Sequence, residues 1–478
     1  MSGIAAVVVP VVLGGALVAG VSSRGATWPA ARRGGPRRGA HWARRRELRP
    51  LLVKGDVPPP GRLQLGAVPG VRRARLAAEP AQSLVVVGPT QSGKTTSLAV
   101  PAILSWPGPV LAASVKSDLL RDTRGPRARR GRVWCIDPTG SSGAPADEWT
   151  PLAGCTAWPV ASRVAADLCD AAKADGTTAD GEFWYATASK LLAPLLLAAA
   201  LDGRTMADVV RWVDTQEVGE VAGILEATAP PEALRAAQAT WCRDERTRSS
   251  VYTTAETVVA PFAHAPPGPA PSSSFEPQLL LGGSHTVYLC APAHDQRRLR
   301  GYFTALTQQV LTCAFASATR SGRPIDPPLL VVLDEAAHIA PLPELDGLAA
   351  TCASHGIQIV TVWQDLAQVR ARYGARAATV LNNHRAKLFL PGIADPDTLE
   401  YASRLVGDEE VTHPSVTRDP SGRRSTTSTT GPRRLLPPED LRCLRRGQAV
   451  LVYGTLPPAR LLLKPWWQVT GLRPARSA

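Results

Sequence analysis

Residues 84–97, Leu-Val-Val-Val-Gly-Pro-Thr-Gln-Ser-Gly-Lys-Thr-Thr-Ser, restrict what this chain can fold into more than any other stretch. Four apolar residues in a row suit a short strand covered on both faces. Gly88, Pro89, Thr90, Gln91, Ser92, Gly93, Lys94 and Thr95 then fit G-x-x-x-x-G-K-[ST], with Thr96 behind them. The apolar residues Leu98, Val100 and Ile103 predict a helix running on from the loop. Strand, glycine-rich turn and helix in that order make a phosphate-binding loop, because backbone N–H groups and the helix N-terminus converge on an anion. Lys94 is expected to reach the β- and γ-phosphates of ATP, and the Thr95 hydroxyl to hold Mg²⁺.

A triphosphate with its metal needs a second half. Residues 329–335, Leu-Leu-Val-Val-Leu-Asp-Glu, supply it as an apolar strand ending in two carboxylates. Asp334 is the expected Mg²⁺ ligand, and Glu335 the group that orients and polarises the attacking water. An apolar strand before Asp-Glu is a weak signal alone; paired with the loop it is a strong one. Residues 357–363 are a further strand, and Gln364 closes it where its amide could contact the γ-phosphate and report its loss. His338, His355 and His384 show no metal spacing and read as structural.

The rest of the chain divides around these motifs. Residues 4–21 hold no charge and reach about the minimum length of a bilayer span. Basic residues follow the run and none precedes it, which predicts a single-pass anchor in the inner membrane with the remainder cytoplasmic. Residues 22–75 read as a basic, Pro-containing linker lying against anionic headgroups. Residues 76–148 and 262–470 carry the strands of an α/β motor domain. Residues 149–261 read as an inserted all-α domain, including an apolar helix over 183–201 expected to be buried. Residues 121–132 look like a basic loop, and 412–434, polar and of low complexity, like a mobile segment. The net charge of +14 points to an anionic partner, and clusters at 121–132 and 297–300 suggest phosphate contacts. Eight cysteines without C-x-x-C pairing read as small buried apolar residues in a reducing compartment, not as a zinc site or a disulfide set.

Residues 88–96 with Val100-Pro101, Leu333-Asp334-Glu335-Ala336, and residues 356–365 together resemble a type IV secretion coupling protein, one of the membrane-anchored conjugative DNA-transfer ATPases of the wider HerA/FtsK group. Trp149-Thr150-Pro151-Leu152, Leu381-Asn382-Asn383 and residues 435–441 are similar to further family landmarks. The resemblance implies a RecA-like P-loop motor with an inserted all-α domain and an N-terminal transmembrane helix, acting as a homo-hexamer. It implies DNA as substrate, single-stranded and relaxase-bound, delivered to a type IV secretion or conjugation channel. A double-strand translocase of the FtsK kind and a non-hydrolysing docking receptor are the other readings. Two departures stand out. Where family members carry an arginine acting on the neighbouring subunit's nucleotide, this chain has Ala353, and Arg124, Arg370, Arg372 or Arg385 are the substitutes considered. The family also often has two membrane helices, and this chain shows one apolar run.

Overall fold

The computed structural model describes residues 39–472 except 56, 72–73, 174–178, 264–274, 419–421 and 423. The expected membrane run at 4–21 therefore lies outside the described residues.

A twelve-stranded mixed sheet organises the molecule. Its strands are β1 (Leu52–Val53), β2 (Gln64–Ala67), β3 (Arg75–Ala77), β4 (Leu84–Val87), β5 (Val110–Ser114), β6 (Val133–Ile136), β7 (Thr286–Cys290), β8 (Leu329–Asp334), β9 (Ile357–Trp363) and β10 (Ala386–Phe389). A separate two-stranded ribbon follows, β11 (Asp408–Arg418) with β12 (Arg424–Arg434), before β13 (Gln448–Tyr453) and β14 (Ala459–Leu462) return to the main sheet. The order is β1-β3-β2-β14-β13-β10-β4-β9-β8-β5-β7-β6. From β10 to β6 all neighbours are parallel. From β10 outward to β1 all are antiparallel.

The sequence explains this division. Strands β4, β5, β7, β8 and β9 are buried at every position, as parallel strands covered by helices on both faces must be. Their side chains alternate between two cores. Val85 and Val87 face one with Leu333 and Trp363, while Val86 faces the other with Val332 and Val362. One order in this sheet matters for everything below. The strand after Asp334 in the chain, β9, is inserted between β4 and β8, so the ends of all three stand side by side.

Between β6 and β7 the chain is helical: Trp158–Ala172, Ala179–Leu201, Met206–Asp214, Gly219–Thr228, Pro231–Trp241 and Glu245–Val259. The Asp180–Leu201 stretch is long and apolar enough to cross a membrane. It is instead packed by its neighbours, with Leu191, Leu192, Leu195, Leu196 and Leu197 all at 0% exposure. Trp149 marks the junction with the sheet domain. Its indole N–H donates to Gln309 Oε1 (2.8 Å), and its carbonyl accepts from the Tyr302 hydroxyl (3.1 Å).

Three expectations are corrected. The stretch read as a linker is folded from Gly39 onward: it forms β1, β2 and β3, and buries Leu48, Leu51, Leu63 and Leu65 at 0–1% exposure. The basic loop is largely a helix, Asp118–Ala128, that turns Arg127 inward. There the guanidinium donates to Thr286 Oγ1 (2.7 Å) and to the carbonyls of Trp106 (2.7 Å), Gly108 (2.7 Å), Ser284 (3.0 Å) and His285 (3.1 Å). The segment expected to be mobile is the β11–β12 ribbon, paired in register from Asp408↔Arg434 to Arg418↔Arg424. The cysteines are all free, but Cys242 and Cys443 are exposed while five others are buried.

Candidate nucleotide-binding site

The site forms where β4, β9, β8 and β5 end, at the C-terminal edge of the parallel strands, where open α/β sheets bind ligands. Strand β4 runs into the loop 88–94, and the chain is helical from Thr95 to Ser105. Gly88 is held by its N–H, which donates to the Trp363 carbonyl (3.0 Å) at the end of β9. A Cβ there would stand 2.7 Å from Leu390 Cβ, so the loop can leave the sheet at this angle only with glycine. Gly93, at φ 96°, takes the left-handed turn that swings the chain into the helix. Thr90 and Gln91 are exposed at the loop tip; Ser92 is buried and its hydroxyl donates to the Pro89 carbonyl (2.8 Å). Thr96 is half-buried, its hydroxyl 3.5 Å from the Gly93 carbonyl.

Lys94 is 8% exposed, and its ammonium donates to the carbonyls of Gly88 (2.6 Å) and Pro89 (2.7 Å). Burial lowers its pKa, while Asp334 and Glu335 nearby favour the charged form. The Thr95 hydroxyl donates to Asp334 Oδ2 at 2.8 Å, which brings the two motifs together across 239 residues of chain. Asp334 is 5% exposed, and burial pushes its carboxyl up to about 6 despite the Thr95 bond. Its other oxygen, Oδ1, is buried with no hydrogen-bond partner among the described residues. A buried, unpaired carboxylate oxygen beside a threonine hydroxyl fits a hard divalent cation, which takes oxygen ligands. The pair Thr95 and Asp334 therefore suits Mg²⁺.

Glu335 follows with φ 70°, a left-handed conformation that a non-glycine residue holds only when its surroundings enforce it. They do so here: the Ala336 N–H donates to the Val362 carbonyl (3.1 Å), so the chain bends across β9 immediately after β8. Glu335 is half-buried beside the site. Gln364 comes one residue after Trp363, level with Gly88 at the mouth of the loop. Its backbone N–H donates to Gln368 Oε1 (3.0 Å), and the Gln368 amide nitrogen lies 3.4 Å from His338 Nε2.

Lys116 and Asp118, in the polar run Lys116-Ser117-Asp118 that closes β5 and that sequence reading gave no role, also lie at this edge. Ser114 stands in register with Asp334, and the charges of Lys116 and Asp118 are felt at Lys94 and Asp334 respectively. The signal was present as a polar run closing an apolar strand. Three of the arginines considered as trans-acting are engaged within the chain. Arg370 pairs with Asp397, Arg372 donates to the Pro341 carbonyl (3.1 Å), and Arg385 lies 3.4 Å from Glu79. Arg124 is half-buried in its helix. His384 is fully buried, its Nδ1 2.7 Å from the Val380 carbonyl, in keeping with a structural role. Among the described residues no cluster of His, Cys, Asp and Glu could hold a metal by itself.

A parallel α/β sheet with a phosphate-loop turn, an apposed Asp-Glu strand and an intervening strand defines a P-loop NTPase fold. The model of the type IV secretory system conjugative DNA-transfer family matches residues 59–468, and the chain belongs to that family. It is 27% identical over 379 residues to a conjugal transfer protein TraG of Escherichia coli, which covers 72% of this chain and 57% of that protein. The TraG of Agrobacterium fabrum is 24% identical over 400 residues, covering 78% and 59%. The chain thus spans under two thirds of the length of these relatives. Among solved structures, the plasmid coupling protein TrwB in complex with ADP and Mg²⁺ superposes with a TM-score of 0.66 at 19% identity, covering 91% of this chain and 97% of that one. TrwB bound to a non-hydrolysable ATP analogue gives 0.65 at 18% identity, covering 90% and 96%. These likenesses extend the fold assignment to the whole sheet.

Proposed function

We propose that this chain is an ATP-driven coupling protein, anchored in the inner membrane, that moves DNA to a conjugation channel. The observation that carries the reading is the meeting of Thr95 with Asp334, whose second oxygen is buried and unpaired beside Lys94 and Glu335. Thr95 and Asp334 are the residues that would hold Mg²⁺, and its chemistry would be to neutralise charge on the β- and γ-phosphates. Lys94 leaves the Gly88 and Pro89 carbonyls to contact those phosphates. Glu335 polarises a water for attack on the γ-phosphate, giving ADP and inorganic phosphate. Gln364 ends the strand between the two motifs and reports whether that phosphate is present. Residues 88–96 as a whole cradle the triphosphate.

The transport half of the reading rests on family membership and charge. Conjugative DNA transfer names the substrate class, and a net charge of +14 suits a phosphate backbone gripped without regard to sequence. A single-stranded, relaxase-bound substrate and a homo-hexameric ring are the forms the family resemblance favours. The test is ATPase activity of the full chain in detergent, with and without single- and double-stranded DNA of unrelated sequence. Stimulation that falls steeply with salt supports a translocating motor. Nucleotide binding without turnover under any of these conditions would replace the motor with a docking receptor.

A further inference from the structure

A rigid basic turn is built into the motor where the chain arrives from its N-terminal segment. Arg44, Arg45, Arg46 and Arg49 are all exposed. Among the described residues none of the four side chains has a hydrogen bond or salt bridge. The one acid in the turn, Glu47, is used internally: it accepts from the Arg44 backbone N–H (2.6 Å) and lies 3.0 Å from His41 Nε2. Four like charges thus crowd one surface with a single carboxylate near them, Glu47, which the charge of Arg44 helps to hold below its ordinary range but which makes no salt bridge to any of the four.

The turn is fixed to the domain on both sides. Ahead of it, the Ala43 N–H donates to the Pro458 carbonyl (2.8 Å) beside β14, and Arg460 lies over the Trp42 ring at 4.3 Å. Behind it, Leu48 and Leu51 are buried at 1% and 0% exposure among Leu63, Leu65 and Leu76. The Arg62 guanidinium ties the next strands, donating to the carbonyls of Pro50 (2.8 Å), Ala77 (2.8 Å) and Ala78 (2.7 Å). A flexible basic tether would search for any anion. This patch has a set position and a set direction.

We infer that Arg44, Arg45, Arg46 and Arg49 form a docking surface for anionic lipid headgroups that holds the motor domain against the membrane in one orientation. The inference rests on the anchored reading above and goes beyond it, because the anchor alone leaves the motor free to tilt. Membrane headgroups are favoured over nucleic acid by chain continuity. Residues 22–38 separate the apolar run from Gly39, and even fully extended they reach no more than about 60 Å. The backbone at that point is also tied to the base of the ribbon, where the Ala40 N–H donates to the Asp408 carbonyl (2.8 Å). The arginines are therefore held within reach of the bilayer, where each basic residue strengthens contact with an anionic surface about fivefold.

The experiment reconstitutes the full chain, and the variant R44Q/R45Q/R46Q/R49Q, into vesicles of neutral phosphatidylcholine or of phosphatidylcholine with about 30% phosphatidylserine. Hydrogen exchange is followed in the peptide covering residues 40–53, with duplex DNA added in a parallel arm. In the wild-type chain, exchange should slow about tenfold in anionic vesicles, recover in high salt, and stay fast in neutral ones. The variant should exchange fast in both, with its ATPase unchanged. Equal exchange in the two lipids overturns the inference, and protection by DNA alone would reassign the patch to nucleic acid. Carbonate extraction of the same vesicles tests the anchor separately: a chain released by carbonate yet protected by anionic lipid keeps this surface and loses the span.

Discussion

Asp334 offers a test that separates the metal role from mere packing. Burial raises its carboxyl from 3.8 to about 6. At 1.36 kcal/mol per pKa unit, keeping it ionised in the ligand-free protein costs about 3 kcal/mol of folding stability. The sign follows from the direction of the shift. A group that titrates higher when folded contributes its stability in full below its unfolded pKa and loses it as pH rises through the folded one. In the ligand-free protein this residue should therefore cost about 3 kcal/mol of stability at pH 8, and roughly half of that cost should be recovered on acidification to pH 5. Asp334→Asn removes the charge while leaving an oxygen to accept from Thr95. In EDTA at pH 8 the variant should be the more stable protein, by about 2–3 kcal/mol, and the gap should narrow by roughly half at pH 5. Adding Mg²⁺ and ATP should stabilise the wild-type chain and leave the variant nearly unmoved, since only a ligand bound to the native state shifts unfolding. Urea unfolding at the two pH values, with and without Mg²⁺ and nucleotide, measures all of this. Parallel behaviour of the two proteins from pH 5 to pH 8 would refute the claim that the buried carboxylate is held for a cation.

Four further outcomes follow from described contacts. Lys94→Ala should weaken nucleotide binding, whereas Glu335→Gln should keep binding and lower turnover about 10²-fold or more; equal loss of binding in both, by equilibrium nucleotide titration, would remove the role given to Glu335. A chain begun at residue 76 should fail to fold, because it lacks Leu48, Leu51, Leu63 and Leu65, each contributing about 1.5–3 kcal/mol by burial, against a total stability of about 5–15 kcal/mol. A chain begun at Gly39 should be monodisperse by size-exclusion chromatography in detergent-free buffer. Arg127→Met should cost about 1–3 kcal/mol in urea unfolding, with no direct effect on nucleotide affinity, since it takes the donor from the Gly108 and Ser284 carbonyls while Trp106 and His285 keep Arg130 and the Val110 N–H.

The parallel half of the sheet was legible because burial on both faces writes itself as mostly apolar runs, broken in β9 only by Gln358 and Thr361. Residues 84–87, 329–333 and 357–363 needed no alternation to be read as strands, and what followed each run, Gly88, Asp334 and Gln364, marked the site edge. The antiparallel half was not legible. Strands β1, β2 and β3 are two to four residues long, set among Pro, Gly and Arg, and stable only because β14 and a shared leucine cluster receive them. The ribbon β11–β12 has no apolar face to betray it; its serines and threonines, which favour strands in the case of threonine, resembled a disordered tract. Arg127 was hidden for the opposite reason. Arginine in a basic run reads as solvated, and only the backbone carbonyls of distant segments give it a reason to turn inward. Within the site, the two sequence motifs located Lys94, Thr95 and Asp334, but no pattern disclosed that Glu335 would sit at positive φ.

The strands that precede the phosphate loop also set how the molecule bears load. A motor that draws a polymer through itself experiences an equal and opposite pull, and that pull must leave through whatever holds the protein. Tension applied at Gly39 is met first by the main-chain bonds from Ala40 to Asp408 and from Ala43 to Pro458, and past them it enters β1, β3 and β2 and reaches the central sheet at β14. There the only register pair is Leu462↔Ala67. Main-chain hydrogen bonding is thinnest at that seam, so the force crosses it chiefly through interlocked leucines, Leu63 and Leu65 against Leu461 and Leu463. Pulling from the N-terminal side should therefore open these ties and this thin seam before the parallel strands, and both lie on the far side of the sheet order from Asp334 and Glu335.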